Sequence, residues 1–161
     1  MEKSTKDYRL GIKSGVLSGL AYGILYSLLM IFSLVVNLRM VEDLANQFLD
    51  YGMGKSFFYL LYFVLMPIFL IGFSIVAGII FGVCFVWLIN KLPSSKVLIK
   101  SLILSLIFWI FVPIPFGLLI VLQAPDSKII MILYSLFSYL AFGLIFSLIY
   151  NKISLKSKKH N

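Results

Sequence analysis

The residues that most often do chemistry in proteins are scarce in this chain, and where they occur they stand apart. His160 and Cys84 are the sole histidine and sole cysteine of 161 residues. His160 lies in a terminal tail, which removes imidazole proton shuttling and histidine metal sites from the interior. Cys84 sits in an apolar stretch, so neither a disulfide framework nor a thiolate cluster can form within one copy, and it reads as a small packing residue. Glu42 and Asp43 are adjacent, and neighbours on a helix point about 100° apart, a poor arrangement for a paired acid and base. There is no Gly-x-Ser-x-Gly elbow, His-Glu pair, Asp-rich metal motif or nucleotide-binding fingerprint. The expectation is a protein that is not an enzyme and carries no cofactor.

Two other sets of residues have spacing worth weighing. Gly11, Gly15, Gly19 and Gly23 recur every fourth position, and Gly78 and Gly82 repeat that interval later. Small residues four apart let helices approach closely in lipid, where association depends on packing and interhelical hydrogen bonds. The ladder could join helices of one copy or form a seam between copies. Lys13 and Lys100, and Asn90 and Asn151, recur at matching boundaries. Snorkelling lysines and helix-ending asparagines explain such places, and a cytoplasmic vestibule for an anion is the functional alternative.

The elements that must position these residues follow from charge placement. The fourteen basic and six acidic side chains all fall outside four apolar stretches: Ser14 to Leu38, Ser56 to Asn90, Ser101 to Pro125 and Ile129 to Asn151. A hydrocarbon core of about 30 Å takes about 20 apolar residues as a helix, and each stretch reaches that length. The expected fold is an all-α integral membrane protein with four transmembrane helices, at 14–38, 56–90, 101–122 and 129–151, forming a single membrane domain over 1–161. With 61% apolar residues and 12% charged, no part resembles a soluble domain. The first stretch lacks a small-residue cleavage site and is expected to be retained.

The net charge of +8 has a topological cause rather than a nucleic-acid one. Eleven of the fourteen basic residues precede the first stretch, separate the second from the third, or follow the fourth. Arg39, Lys55 and Lys128 lie on the other side with Glu42, Asp43, Asp50 and Asp126. The positive-inside rule then puts both termini in the cytoplasm of a multi-pass protein of the cell membrane. The excess of lysine over arginine, with abundant isoleucine, suggests an AT-rich prokaryotic genome.

Local similarity suggests a duplicated hairpin. Residues 12–18 match 99–105 at five of seven positions, and residues 81–91 match 142–152 at five of eleven. Both matches keep sidedness and order, which predicts parallel repeats at 11–91 and 98–152 related by an axis along the membrane normal. The first hairpin is longer by 26 residues between its matched blocks. Much of this excess is Arg39 to Lys55, where Val41, Leu44, Phe48 and Tyr51 have helical spacing and Glu42, Asp43, Asn46, Gln47 and Asp50 take the other faces. A short amphipathic helix at the outer surface is expected, ended by Gly52 and Gly54, and serving as an interfacial element, a docking surface or a lid.

Prolines mark the irregular places. The second stretch is 35 residues, about 52 Å as one helix, so a kink at Pro67 is expected to tilt its first part. Pro113 and Pro115 should kink or end the third span. Tyrosines and tryptophans at positions 22, 26, 59, 62, 87, 109, 134, 139 and 150 supply most of the remaining polarity. The expected role is a non-catalytic scaffold or accessory subunit, in contact with the lipid bilayer and with other membrane chains or copies of itself, and with no nucleic acid. The alternative is a small homo-oligomeric transporter or channel for a small solute.

Overall fold

A computed structural model describes residues 2–50, 52, 54–111 and 128–159. The described residues are helical apart from the turns that join them: α1 (Glu2–Val36), α2 (Leu38–Asp50), α3 (Lys55–Leu60), a π turn (Leu61–Leu65), α4 (Met66–Leu88), α5 (Val97–Phe111) and α6 (Lys128–Lys159). Among the described residues three segments are long and apolar enough to cross a membrane: Tyr8–Val36, Lys55–Leu88 and Ile132–Lys156. The 15 residues of α5 are equally apolar, but about 22 Å of helix falls short of a hydrocarbon core. Pro113 and Pro115, with the end of the expected third span, lie outside the described residues.

Asn37 alone separates α1 from α2. Its side-chain amide donates to the Ser33 carbonyl at 3.0 Å and its backbone N–H to the same oxygen at 3.1 Å, while its own carbonyl accepts from Val41. The chain therefore passes from span to surface helix without a loop. The buried stripe of α2 is Val41 and Ala45, with Phe48 half-buried, and Glu42, Asp43, Asn46 and Gln47 are exposed. Leu44 and Tyr51, expected in that stripe, have side chains outside the description. The helix stops at Asp50, and Gly52 adopts a left-handed backbone with φ of 76°, its N–H donating to the Leu49 carbonyl at 2.8 Å.

The stripe of α2 closes on the start of the next span. Val41, Ala45 and Phe58 form a small buried core with Leu34, Phe48 and Tyr62 around it. Phe48 meets Phe58 edge-on at 5.2 Å, and Phe58 lies 4.6 Å from Tyr62. The long second span is thus sheathed at its beginning by the inserted helix.

At Pro67 the backbone adjusts one turn earlier than the proline itself. The Met66 N–H reaches back five residues to the Leu61 carbonyl, which makes Leu61–Leu65 a π turn, and helix continues on both sides. Proline has no N–H and its ring crowds the carbonyl four residues back. A wider turn accommodates both constraints without ending the helix. Pro67 is buried, and its carbonyl accepts from the Ser27 hydroxyl of α1 at 3.3 Å.

In the bundle α1 packs on α4 along most of its length and on α6 with another face, and α6 also packs on α5. The main core lies among α4, α5 and α6: Phe81, Phe85, Leu104, Phe146 and Tyr150 are buried, with Leu10 of α1 packed against them. Neighbouring rings meet at 4.9 Å for Phe81–Phe146, 5.0 Å for Phe85–Phe146 and 5.1 Å for Phe85–Tyr150.

Candidate functional site

Each set of residues singled out by spacing has a definite place. Gly11, Gly15, Gly19 and Gly23 face α4, and Gly78 and Gly82 face them in return. A Cβ on Gly15 would fall on the Gly78 carbonyl oxygen, and one on Gly78 on the Gly15 carbonyl oxygen. On Gly11 it would lie 2.6 Å from the Gly82 carbonyl oxygen, on Gly19 2.7 Å from the Ile75 Cα, and on Gly23 2.8 Å from the Ile71 Cα. The ladder is therefore engaged within the chain, with the α1 and α4 backbones in contact.

Serines do for the contact of α5 with α6 what glycines do for that of α1 with α4. Ser101 and Ser105 of α5 and Ser147 of α6 are buried, and Gly143 of α6 lies against the Ser101 carbonyl and the Ser105 hydroxyl. Each of these hydroxyls donates to a carbonyl one turn back on its own helix, Ser105 to Ser101 and Ser147 to Leu144 at 2.9 Å, which leaves no stranded donor in an apolar seam. Ser18 likewise donates to the Ser14 carbonyl at 2.5 Å. Ser14 Oγ is buried and without a partner. Spacing by four marks Ser101 and Ser105 as clearly as the glycines, but hydroxyls in a leucine-rich stretch attract less attention than a bare ladder.

The boundary set of Lys13, Lys100, Asn90 and Asn151 does not assemble. The Lys100 ammonium donates to the Ile89 carbonyl at the end of α4, a cation placed where a helix terminus offers unpaired carbonyls. Lys13, Asn90 and Asn151 are exposed, and among the described residues no hydrogen bond or ion pair links the four. Lys91 stacks over the Trp87 ring at 4.5 Å, anchoring the same end of α4. Pro67 sits behind its π turn as described, and the described residues contain no cluster of His, Cys, Asp and Glu able to hold a metal.

Polarity gathers instead between α1, α5 and α6. The Tyr22 hydroxyl hydrogen-bonds to the Ser138 hydroxyl, and Tyr26 has Tyr134 as a neighbour. Trp109 Nε1 donates to Ser135 Oγ at 2.9 Å, and that hydroxyl donates to the Ile132 carbonyl at 2.8 Å. Tyr22 stacks on Tyr26 at 6.0 Å and meets Phe142 edge-on at 5.5 Å. Hydroxyls and an indole N–H bind by hydrogen bonding, so this cluster suits neutral polar groups or water. Towards the other end of the bundle, the Phe81, Phe85, Phe146 and Tyr150 rings fill the space between the helices. Tyr22 and Trp109 were evident from the sequence, but their serine partners on another helix, Ser138 and Ser135, were not.

Comparison with known proteins found no matching family model, no matching curated protein and no matching solved structure.

Proposed function

We propose that this chain is a non-catalytic multi-pass subunit of the cell membrane that scaffolds or accompanies other membrane proteins through its outer helix α2. In this reading α5 and the residues after it form a fourth span, the two hairpins are a parallel duplication, and both termini are cytoplasmic. The observation that carries the reading is the way α2 is mounted. Its apolar stripe is consumed by Phe58 and Tyr62 of the same chain, while Glu42, Asp43, Asn46 and Gln47 face outward from a helix fixed directly to a span. An acidic and amide-rich face held so firmly is suited to a partner with basic or amide groups on the outer side. The aromatic filling among α4, α5 and α6 adds support, since it leaves little room for a pathway through one copy.

The test is extraction of a tagged copy in mild detergent from its own host, with particle mass measured and co-purifying chains identified by mass spectrometry. Foreign chains at stoichiometric amounts, lost when Glu42 and Asp43 are changed to lysine, are the expected result. A clean particle of this chain alone that moves a solute across liposomes would overturn it. Protease access to a C-terminal tag in inside-out vesicles tests the orientation.

A second reading is favoured by the hydroxyl cluster of Tyr22, Tyr26, Tyr134 and Ser138: a homo-oligomeric transporter or channel for a small neutral solute. Substituting Tyr22 and Tyr134 by phenylalanine should then abolish flux across liposomes while leaving assembly intact. Unchanged flux in that variant would sink this reading.

A further inference from the structure

Beside the acidic face of α2 runs an open groove of about 640 Å³. One wall is Leu38 and Val41 of α2, and the other is Tyr59 and Leu60 of α3 with Phe63 and Val64 of the π turn. Among the described lining residues Glu42 alone is acidic or basic. Leu38, Leu60 and Val64 are 65%, 48% and 45% exposed, so these three line the groove with apolar surface that no other described residue covers.

We propose that this groove holds one acyl chain of a phospholipid whose headgroup carries a primary amine, as in phosphatidylethanolamine. The inference uses the membrane setting of α1 and α4 but not the scaffold reading. Its position comes from Asn37, the one residue between the apolar end of α1 and the first turn of α2, which sets α2 at the level where hydrocarbon gives way to headgroups. Its headgroup chemistry comes from Arg39 and Glu42. These opposite charges stand three residues apart on α2, so they share one side of the helix, and both are exposed. They form no ion pair with each other or with another described residue. A guanidinium and a carboxylate about 5–6 Å apart at Cβ match a zwitterionic headgroup: Arg39 takes the phosphate as a bidentate donor, and Glu42 accepts from the ammonium. A choline headgroup has no N–H to give Glu42, and a glycerol headgroup brings no cation to it. An acyl chain along Leu60, Phe63 and Val64 covers the remaining apolar wall.

The experiment uses the purified full-length chain, stripped of lipid in detergent, with phosphatidylethanolamine, phosphatidylcholine and phosphatidylglycerol of identical acyl chains. Native mass spectrometry reads the bound lipid, and thermal denaturation reads stabilisation. The expected result is one saturable ethanolamine lipid, held about fivefold more tightly than the other two, with Glu42→Gln removing that preference while leaving the melting temperature of the lipid-free protein unchanged. Leu60→Trp, which fills the groove from an exposed position, should lower binding of all three lipids together. Equal binding of the three lipids, preference for phosphatidylglycerol, a preference that survives Glu42→Gln, or a lipid-free dimer in which a second copy covers the groove would each overturn the proposal.

Discussion

Gly15 and Gly78 meet backbone to backbone, and neither position has room for a single methyl group, because each would place it on the other's carbonyl oxygen. Gly72, six residues before Gly78 on the same helix, has nothing within 4 Å of the place where its Cβ would be. The two glycines look alike in sequence and differ entirely in what they touch.

Alanine at the two positions should therefore act in opposite directions. Gly15→Ala is expected to destabilise the protein by about 1–3 kcal/mol through overpacking, read by denaturant or thermal unfolding in detergent. Gly72→Ala should leave stability unchanged or raise it by up to about 1 kcal/mol, because alanine is the better helix former. Equal losses at both positions would contradict the seam described here.

The Phe146 side chain is fully buried between Phe81, Phe85 and Tyr150. Truncation to alanine should cost about 3–5 kcal/mol, as for other buried aromatic side chains, whereas the same change at the exposed Leu144 should cost far less. Unfolding in mixed micelles compares the two directly, and a small loss at Phe146 would mean the ring cluster is not the core.

Tyr22 and Ser138 bridge α1 and α6 with a hydrogen bond inside the bundle. Tyr22→Phe and Ser138→Ala should each be mildly destabilising, and the double variant should show a coupling of about 0.6 kcal/mol, the typical value for interhelical hydrogen bonds in membranes. Strict additivity in that double-mutant cycle would remove the bond from the list of contacts holding the helices together.

Lys100 and Lys13 occupy equivalent places in the two similar sequence blocks, yet only Lys100 is half-buried, on the Ile89 carbonyl at the end of α4. Lys100→Met should lose about 0.3–1 kcal/mol of stability, the usual worth of a cation at a helix C-terminus, and Lys13→Met should lose less. Thermal unfolding of the two variants side by side decides it; parity would deny Lys100 its capping role.

What could be read in advance followed the contrast between polar and apolar residues. The stripe of α2 was visible because Val41 and Phe48 alternate with Glu42, Asp43, Asn46 and Gln47 at helical spacing. Within the long spans that contrast vanishes, since lipid-facing and core-facing positions are both apolar, and Phe146 could not be told from the exposed Phe137 by type or period. The glycine ladder was plain, but its partner was not, because spacing shows that a close approach is possible and not which helix makes it. At Pro67 the sequence pointed to a kink, and the irregularity found there is a π turn over Leu61–Leu65, whose use of a Ser27 hydrogen bond from α1 to the Pro67 carbonyl no spacing rule could reveal. Ser101 and Ser105 were legible in their spacing but not in their use, which depends on Gly143 arriving from another helix.

The order of helices across the bundle bears on biogenesis. The ribosome makes α1 before α4 and α6, the two helices on which it packs. From the time it enters the bilayer until α4 follows, α1 presents four bare glycines and the hydroxyls of Ser14, Ser18 and Ser27 to hydrocarbon. Until α4 arrives these small residues have no helix to pack on, and a pause in translation across α2 would lengthen that interval. A mutation that slows delivery of Gly78 and Gly82 would thus reduce yield in cells even where the finished protein, once assembled, is as stable as its parent.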